Sequence, residues 1–339
     1  MDSDAQRPGS PLAKRPTLQD VAQGAGVSVM TVSRALRGSS KVTDRTRARI
    51  VAEAERLGYR PSLSARSLRT GQSILISIVS PNIMVPLHIE IMQGAREAAA
   101  QHGYRLLLQM DSQPGEWGQA FPADGELVMG EAIKIHQDIS INRTVSLVES
   151  ATDLVDLCGT NLPGITRDAF IYLHAAGYRR VGFLQSIGNS PKQGWLEAMA
   201  QLGLEPDPTL IAEVGAGPEA IIEGTRRLLS RTPAPDALVV VHTFGTPLVL
   251  QELARQGMVV GRDIGFIGSE VTLNTWGSVV VPGLSMIRIP GYAIGWSGCI
   301  RLIERLRGDD SPRRLVEIPS ELIIRQSTPG PHTGPGNPA

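Results

Sequence analysis

Hydroxyls and one guanidinium crowd the stretch TLQDVAQGAGVSVMTVSRAL, from Thr17 to Leu36: Thr17, Ser28, Thr31, Ser33 and Arg34. Such groups donate and accept hydrogen bonds, and the planar fork of an arginine matches an anion or a base edge. The same groups also serve as helix caps and solvated surface. The stretch therefore reads either as a helical hairpin of an enzyme or as the reading head of a DNA-binding protein. Charge favours the second. Between Lys14 and Gln72 there are twelve Lys or Arg against four Asp or Glu, although the whole chain carries 33 of each and a formal charge of zero. A basic head on an acidic body directs only the head at phosphate.

Catalytic and metal chemistry find little support. No Gly-x-Gly-x-x-Gly follows a strand-like run, no P-loop occurs, and the six histidines form no visible triad. Cys158 and Cys299 lie far apart and match no metal spacing, so free core thiols in a reducing cytoplasm are the expectation. No cofactor and no metal is expected, and the chain does not read as an enzyme. With 42% hydrophobic and 19% charged residues, the 339-residue chain has the balance of a soluble globular protein of two or three domains. It contains no run of about 18 apolar residues that would cross a membrane. Its polar start, MDSDAQRPGSPLAKRP, lacks the apolar centre of a signal peptide.

The positioning elements follow from caps and periodicity. Leu18, Val21 and Ala22 share one helical face, with Thr17 as N-cap and Asp20 at the third helical position. Gly24 and Gly26 permit a tight turn, and Ser28 can cap a second helix from Val29 to Leu36 that turns Val32, Ala35 and Leu36 inward. Thr43 can cap a third helix that ends at Gly58, and three such helices fit a helix-turn-helix domain. Pro61 and Gly71 bracket a helix of about two turns, too short to be stable alone. From Ser73, runs such as ILISIVS, GELVMG, TVSLVES, RVGFLQS, DALVVVH and DIGFIGS alternate with amphipathic helices. That alternation predicts parallel sheets covered by helices, with ligand clefts at the carboxyl ends of the strands.

PTLQDVAQGAGVSVMTVSRAL and the following KVTDRTRARIVAEAERLGYRPSLSARSLRTGQS resemble the head and hinge of the lac repressor (LacI-type) family of bacterial transcription regulators. The body resembles that family's periplasmic-binding-protein-like core in IMQGAREAAAQHGYRLLL, DIGFIG and IPSELIIRQS. The resemblance implies an N-terminal all-α helix-turn-helix head with a hinge helix, followed by an α/β core of two subdomains with parallel sheets. The implied divisions are a disordered tail over 1–15, the DNA-binding domain over 16–60, and the hinge over 61–72. The effector-binding and dimerisation core then spans 73–329, before a second disordered tail over 330–339. It places the second helix in the major groove, where Val29, Met30, Ser33 and Arg34 face base edges and Arg34 suits a guanine. Thr17, Ser28, Thr31, Lys41, Thr46 and Arg47 fit phosphate-positioning roles. Ala65 and Leu68 fall at the minor groove, with Leu68 as an apolar wedge. Paired hinges imply a homodimer on a double-stranded, roughly palindromic operator, most simply as a repressor.

The same resemblance implies a small-molecule effector, a sugar or another metabolite, between the two subdomains. Several family positions depart from the usual pattern. Pro191 stands where an arginine is common, His242-Thr243 replace Asn-Asp, and Ser269-Glu270-Val271 follow GFI-Gly268 where two aspartates are usual. TNLPG replaces an acidic position, and the segment 110–124 is short, which leaves a helix reduced to a loop. Candidate effector contacts at strand ends are Asn82, Asp111, Asn189 and His242, together with Phe244, Glu270 and Trp276. The alternatives are a ligand-binding protein of the same fold without operator function and, more remotely, a metabolic enzyme.

Overall fold

The computed structural model describes residues 16–36, 38–59, 74–80, 82–110, 123–129, 141–148, 154–187, 190–215, 217–242, 244–272 and 275–330. Contacts divide the chain into two units, Met1–Ser73 and Ile74–Ala339.

The first unit holds three helices, α1 (Leu18–Gly24), α2 (Val29–Leu36) and α3 (Asp44–Arg56). Each begins at a hydroxyl. Thr17 and Asp20 close a capping box, with the Thr17 N–H 2.6 Å from Asp20 Oδ2 and the Asp20 N–H 3.4 Å from Thr17 Oγ1. Ser28 Oγ accepts from the Thr31 N–H at 3.2 Å, and Thr43 Oγ1 accepts from the Thr46 N–H at 3.4 Å. The α1–α2 turn passes through Gly26 at φ +62°, a conformation that costs other residues strain. Val21, Val32 and Ile50, one from each helix, are fully buried together with Ala22, Ala35 and Ala54. This core is small, so the correct turn and caps matter more to it than to a large domain.

The second unit contains two sheets. In chain order its first elements are β1 (Leu75–Val79), α4 (Pro86–Gln101), β2 (Arg105–Gln109), β3 (Gly125–Met129), β4 (Thr144–Val148) and β5 (Asp156–Gly159). There follow α5 (Leu162–Ala175), β6 (Val181–Ser186), α6 (Ser190–Leu202), β7 (Ile211–Val214), α7 (Pro218–Leu229) and β8 (Ala237–Val241). The chain continues through α8 (Gly245–Arg255), β9 (Gly265–Val271), the short α9 (Trp276–Val279) and β10 (Ser285–Ile289). It closes with α10 (Gly291–Leu306), β11 (Leu315–Glu317) and β12 (Glu321–Ile323). One six-stranded sheet has the order β11-β5-β4-β3-β1-β2 and is parallel throughout. The other has the order β12-β10-β9-β8-β6-β7, with only β12 antiparallel.

The second sheet shows why its strands read as unbroken apolar runs. In β8, Leu238 and Val240 pack beneath α7 and α8, while Val239 and Val241 pack on the opposite face against α5 and α6. Both faces are covered, so neither alternate position needs to be polar. In the first subdomain Ile76, Leu127 and Val145 pack against α4 and α10. Those two helices cross at glycines: a Cβ on Gly94 would strike the Tyr292 carbonyl, and one on Gly295 the Ile91 carbonyl.

Three departures from the periodicity reading have simple causes. β5 and β7 are only four residues each, too short for an alternating or apolar run to mark them as strands. Helix α4 starts at Pro86, ahead of the run IMQGAREAAAQHGYRLLL, because proline is favoured in a first turn. The run VEIPSELIIRQ is two strands in different sheets, since the chain crosses between subdomains at residues 318–320. That crossing lies beside another: the Ile318 N–H donates to the Gly159 carbonyl at 2.7 Å, and Thr160 and Ser320 hydroxyls meet at 2.6 Å. A third crossing leads from β10 into α10.

Candidate nucleic-acid interface and effector cleft

On α2 the cap and the buried stripe decide which side chains are left facing out. Val32 and Ala35 point into the core, which leaves Met30 59% exposed, Val29 43% exposed and Arg34 exposed. Ser33 departs from the base-reading expectation. It is 8% exposed, so it lies toward the packed side of α2 more than on its free face. Arg47 departs as well. Its guanidinium donates to the carbonyls of Ala35 at 3.2 Å, Ser39 at 2.9 Å and Val42 at 3.4 Å. It thus satisfies carbonyls at and just beyond the end of α2 and ties that helix to α3, a use that competes with phosphate contact. Thr17, Ser28 and Lys41 are exposed, and Thr31 and Thr46 are half-buried. Their hydroxyls take part in the caps, with Ser28 Oγ 2.9 Å from Thr31 Oγ1 and Thr43 Oγ1 donating to Thr46 Oγ1 at 3.0 Å. Ala65 and Leu68 lie outside the described residues.

In the core, a cavity of about 370 Å³ opens between the two subdomains. Leu87 and Val148 contribute from the first subdomain, and Ser186, Val241 and Ser269 from the second. These sit at or just beyond carboxyl ends of parallel strands or at helix starts, the place where α/β sheets bind ligands. Val148 holds φ +74°, a strained value for a β-branched residue, at the mouth of the cleft. Across the subdomains, the Glu90 carboxylate on α4 accepts from the Thr272 N–H at 3.1 Å.

Of the expected effector contacts, His242, Phe244 and Glu270 line this cavity. The polar two are already committed. His242 Nδ1 accepts from the Phe244 N–H at 3.2 Å, which leaves Nε2–H to donate to the Gly215 carbonyl at 3.2 Å. Burial pushes its pKa below the ordinary histidine value, and the Gly215 contact opposes this only in part. The Glu270 carboxylate accepts from Arg288 at 2.9 Å and 3.2 Å and from the Gly277 N–H at 3.1 Å. Asn82 does not line the cavity: its side-chain carbonyl accepts from the Met84 N–H at 2.8 Å, closing a turn ahead of α4. Asp111 and Asn189 lie outside the described residues, as does the Trp276 side chain. The cavity wall also includes Leu87, Val148, Leu162 and Ile289, whose side chains carry no hydrogen-bonding group. Their only local signal is position at a strand or helix terminus, which apolar core residues share. Among the described residues no cluster of His, Cys, Asp and Glu could hold a metal, and no helix is long and apolar enough to cross a membrane.

Comparison with known proteins matches residues 17–62 to the bacterial regulatory proteins of the lacI family and residues 170–328 to a periplasmic binding protein-like domain. The HTH-type transcriptional repressor CytR of Escherichia coli strain K12 is 30% identical over 333 residues, covering 92% of this chain and 96% of that protein. The HTH-type transcriptional regulator PtxS of Pseudomonas putida is 29% identical over 334 residues, covering 93% of this chain and 96% of the relative. Among solved structures, the lac repressor dimer bound to operator and the anti-inducer ONPF superposes with a TM-score of 0.79 at 22% identity, covering 93% of this chain and 99% of that one. The transcriptional regulator CelR in complex with cellobiose superposes at 0.66 and 22% identity, covering 92% and 100%.

Proposed function

The chain belongs to the lacI family of bacterial regulatory proteins, and from that premise we propose a cytoplasmic transcriptional repressor that binds a palindromic operator as a homodimer. DNA affinity is set by a small effector in the cleft of the core. The observation that carries the DNA half is the free face of α2, where Val29, Met30 and Arg34 stand exposed on a rigidly capped helix. Two exposed apolar side chains at a helix tip gain contacts against thymine methyl groups, and Arg34 supplies the hydrogen-bonded reading of guanine. Lys41 and the cap hydroxyls fix the head on phosphates. Ala65 and Leu68, one pair per subunit, complete the reading in the minor groove.

The effector half rests on the cleft's construction. Its walls come from both subdomains, so a bound molecule interacts differently as their angle changes, and that difference in affinity is what couples ligand to DNA. The test is selection of duplexes from a random pool by the full-length protein, followed by gel shift. The reading expects two symmetry-related half-sites and affinity that falls steeply with salt. Equal affinity for selected and random duplex would defeat it.

A further inference from the structure

We propose that Glu90 is a positioning residue, a latch that holds the two subdomains of the core at one angle and through that angle sets operator affinity. This deepens the reading of the core as a ligand-controlled switch and rests on it. Glu90 lies on α4 in the first subdomain and is 2% exposed, an unusual place for a carboxylate. Its carboxylate accepts from the Thr272 N–H of the second subdomain at 3.1 Å. Thr272 directly follows β9, so the bond ties a helix of one subdomain to a strand end of the other.

Two neighbours make that bond sensitive to the subdomain angle. Gly291 opens α10, where the chain crosses back from β10. A Cβ at Gly291 would lie 2.8 Å from Glu90 Cβ and 3.0 Å from Glu90 Oε2, so the carboxylate is seated against the crossing itself. The cleft is the second neighbour. Leu87, one turn before Glu90 on α4, and Val271, next to Thr272, both line it. A molecule that changes the separation of those walls must change the Glu90–Thr272 contact with them. Hydrogen bonds weaken steeply with distance and angle, and one to a charged group shifts a two-state equilibrium by about ten- to hundredfold. That is the size of typical allosteric couplings, about 5–150-fold. A buried carboxylate that loses a donor is costly, so intermediate angles are disfavoured.

Distances between spin labels on the full-length protein test this. Labels go on Ala100→Cys in α4 and Glu223→Cys in α7, both exposed, while the native Cys158 and Cys299 are buried and stay unlabelled. Labelled chains are diluted into unlabelled protein, so that only distances within one chain are read. With Glu90 in place, one narrow distance is expected. Glu90→Ala should add a displaced second population. Glu90→Gln keeps an acceptor oxygen at the same reach and should restore the single distance. If Glu90→Ala does not fold, Gly291→Ala takes its place, since its methyl group pushes the carboxylate away from Thr272. A single narrow distance in the alanine variant, or the same second population in Glu90→Gln, would overturn the latch. Operator affinity, measured by gel shift, should change at least about fivefold in the alanine variant. No change there, while the wild type prefers its operator, would overturn the link to DNA. If the wild type shows no operator preference, the regulatory reading fails, and the distances alone judge the latch.

Discussion

Arg34 and Arg47 look alike in the sequence, two arginines of a basic head, and the structure gives them opposite surroundings. Arg34 is exposed on α2, so Arg34→Ala should leave thermal unfolding of the head unchanged while removing about 1–3 kcal/mol of discrimination at one base pair. Competition gel shifts against single-base operator variants measure that loss. Arg47 holds three carbonyls, so Arg47→Met should destabilise the head by about 1–3 kcal/mol, as those carbonyls lose a partner. If Arg47 instead acted on phosphate, the slope of log affinity against log salt would fall by about one and stability would hold. His242 makes a pH prediction. Its native pKa is depressed, so it stabilises the core above the ordinary histidine value of about 6.5, and that contribution is lost as pH falls from there toward the native value. The melting temperature of the wild type should drop across that window more than that of His242→Phe.

At the scale of elements, the crossing of α4 and α10 has the least tolerance. Backbone meets backbone at Gly94 and Gly295, so Gly94→Val should cost about 1–3 kcal/mol or more from overpacking, read in a denaturation midpoint. The same substitution on an exposed helix face would cost far less. Elements defined by local chemistry were legible in the sequence. Thr17, Ser28 and Thr43 announce three helices because a cap acts within three residues. The strands β1, β6, β8 and β9 announce themselves by runs long enough to bury. What stayed hidden depends on distant partners. DLCG is a strand only because β4 and β11 flank it, and VEIPSELIIRQ divides only because two sheets compete for its halves. In the cleft, His242 and Glu270 carried a polar signal, but their partners Gly215 and Arg288 lie 27 and 18 residues away, so their commitment could not be read. The apolar wall had no signal that sets it apart from core.

Across the whole molecule, a basic head and an acidic core divide the labour between DNA and ligand. One ion-pair cluster contributes to the core's stability against acid. Burial raises the Asp156 carboxyl, but Arg305, the Arg314 N–H and Arg301 outweigh it and hold it below the ordinary carboxylate range. Asp309 is held low in turn by Arg301 and Ser311. Both pKa values are depressed, so the cluster stabilises the core above about pH 4 and its contribution disappears as pH falls below that. Arg305→Met should therefore lower the melting temperature at pH 7 and flatten its fall at acid pH. The central claim is that this protein reads a DNA sequence as a dimer. Its most direct measurement is the affinity of the full-length protein for a selected palindromic duplex, against the same duplex with one half-site scrambled, at fixed salt. A strong preference for the intact palindrome, reduced by Arg34→Ala, is the result expected. Equal affinity for the two duplexes would contradict it.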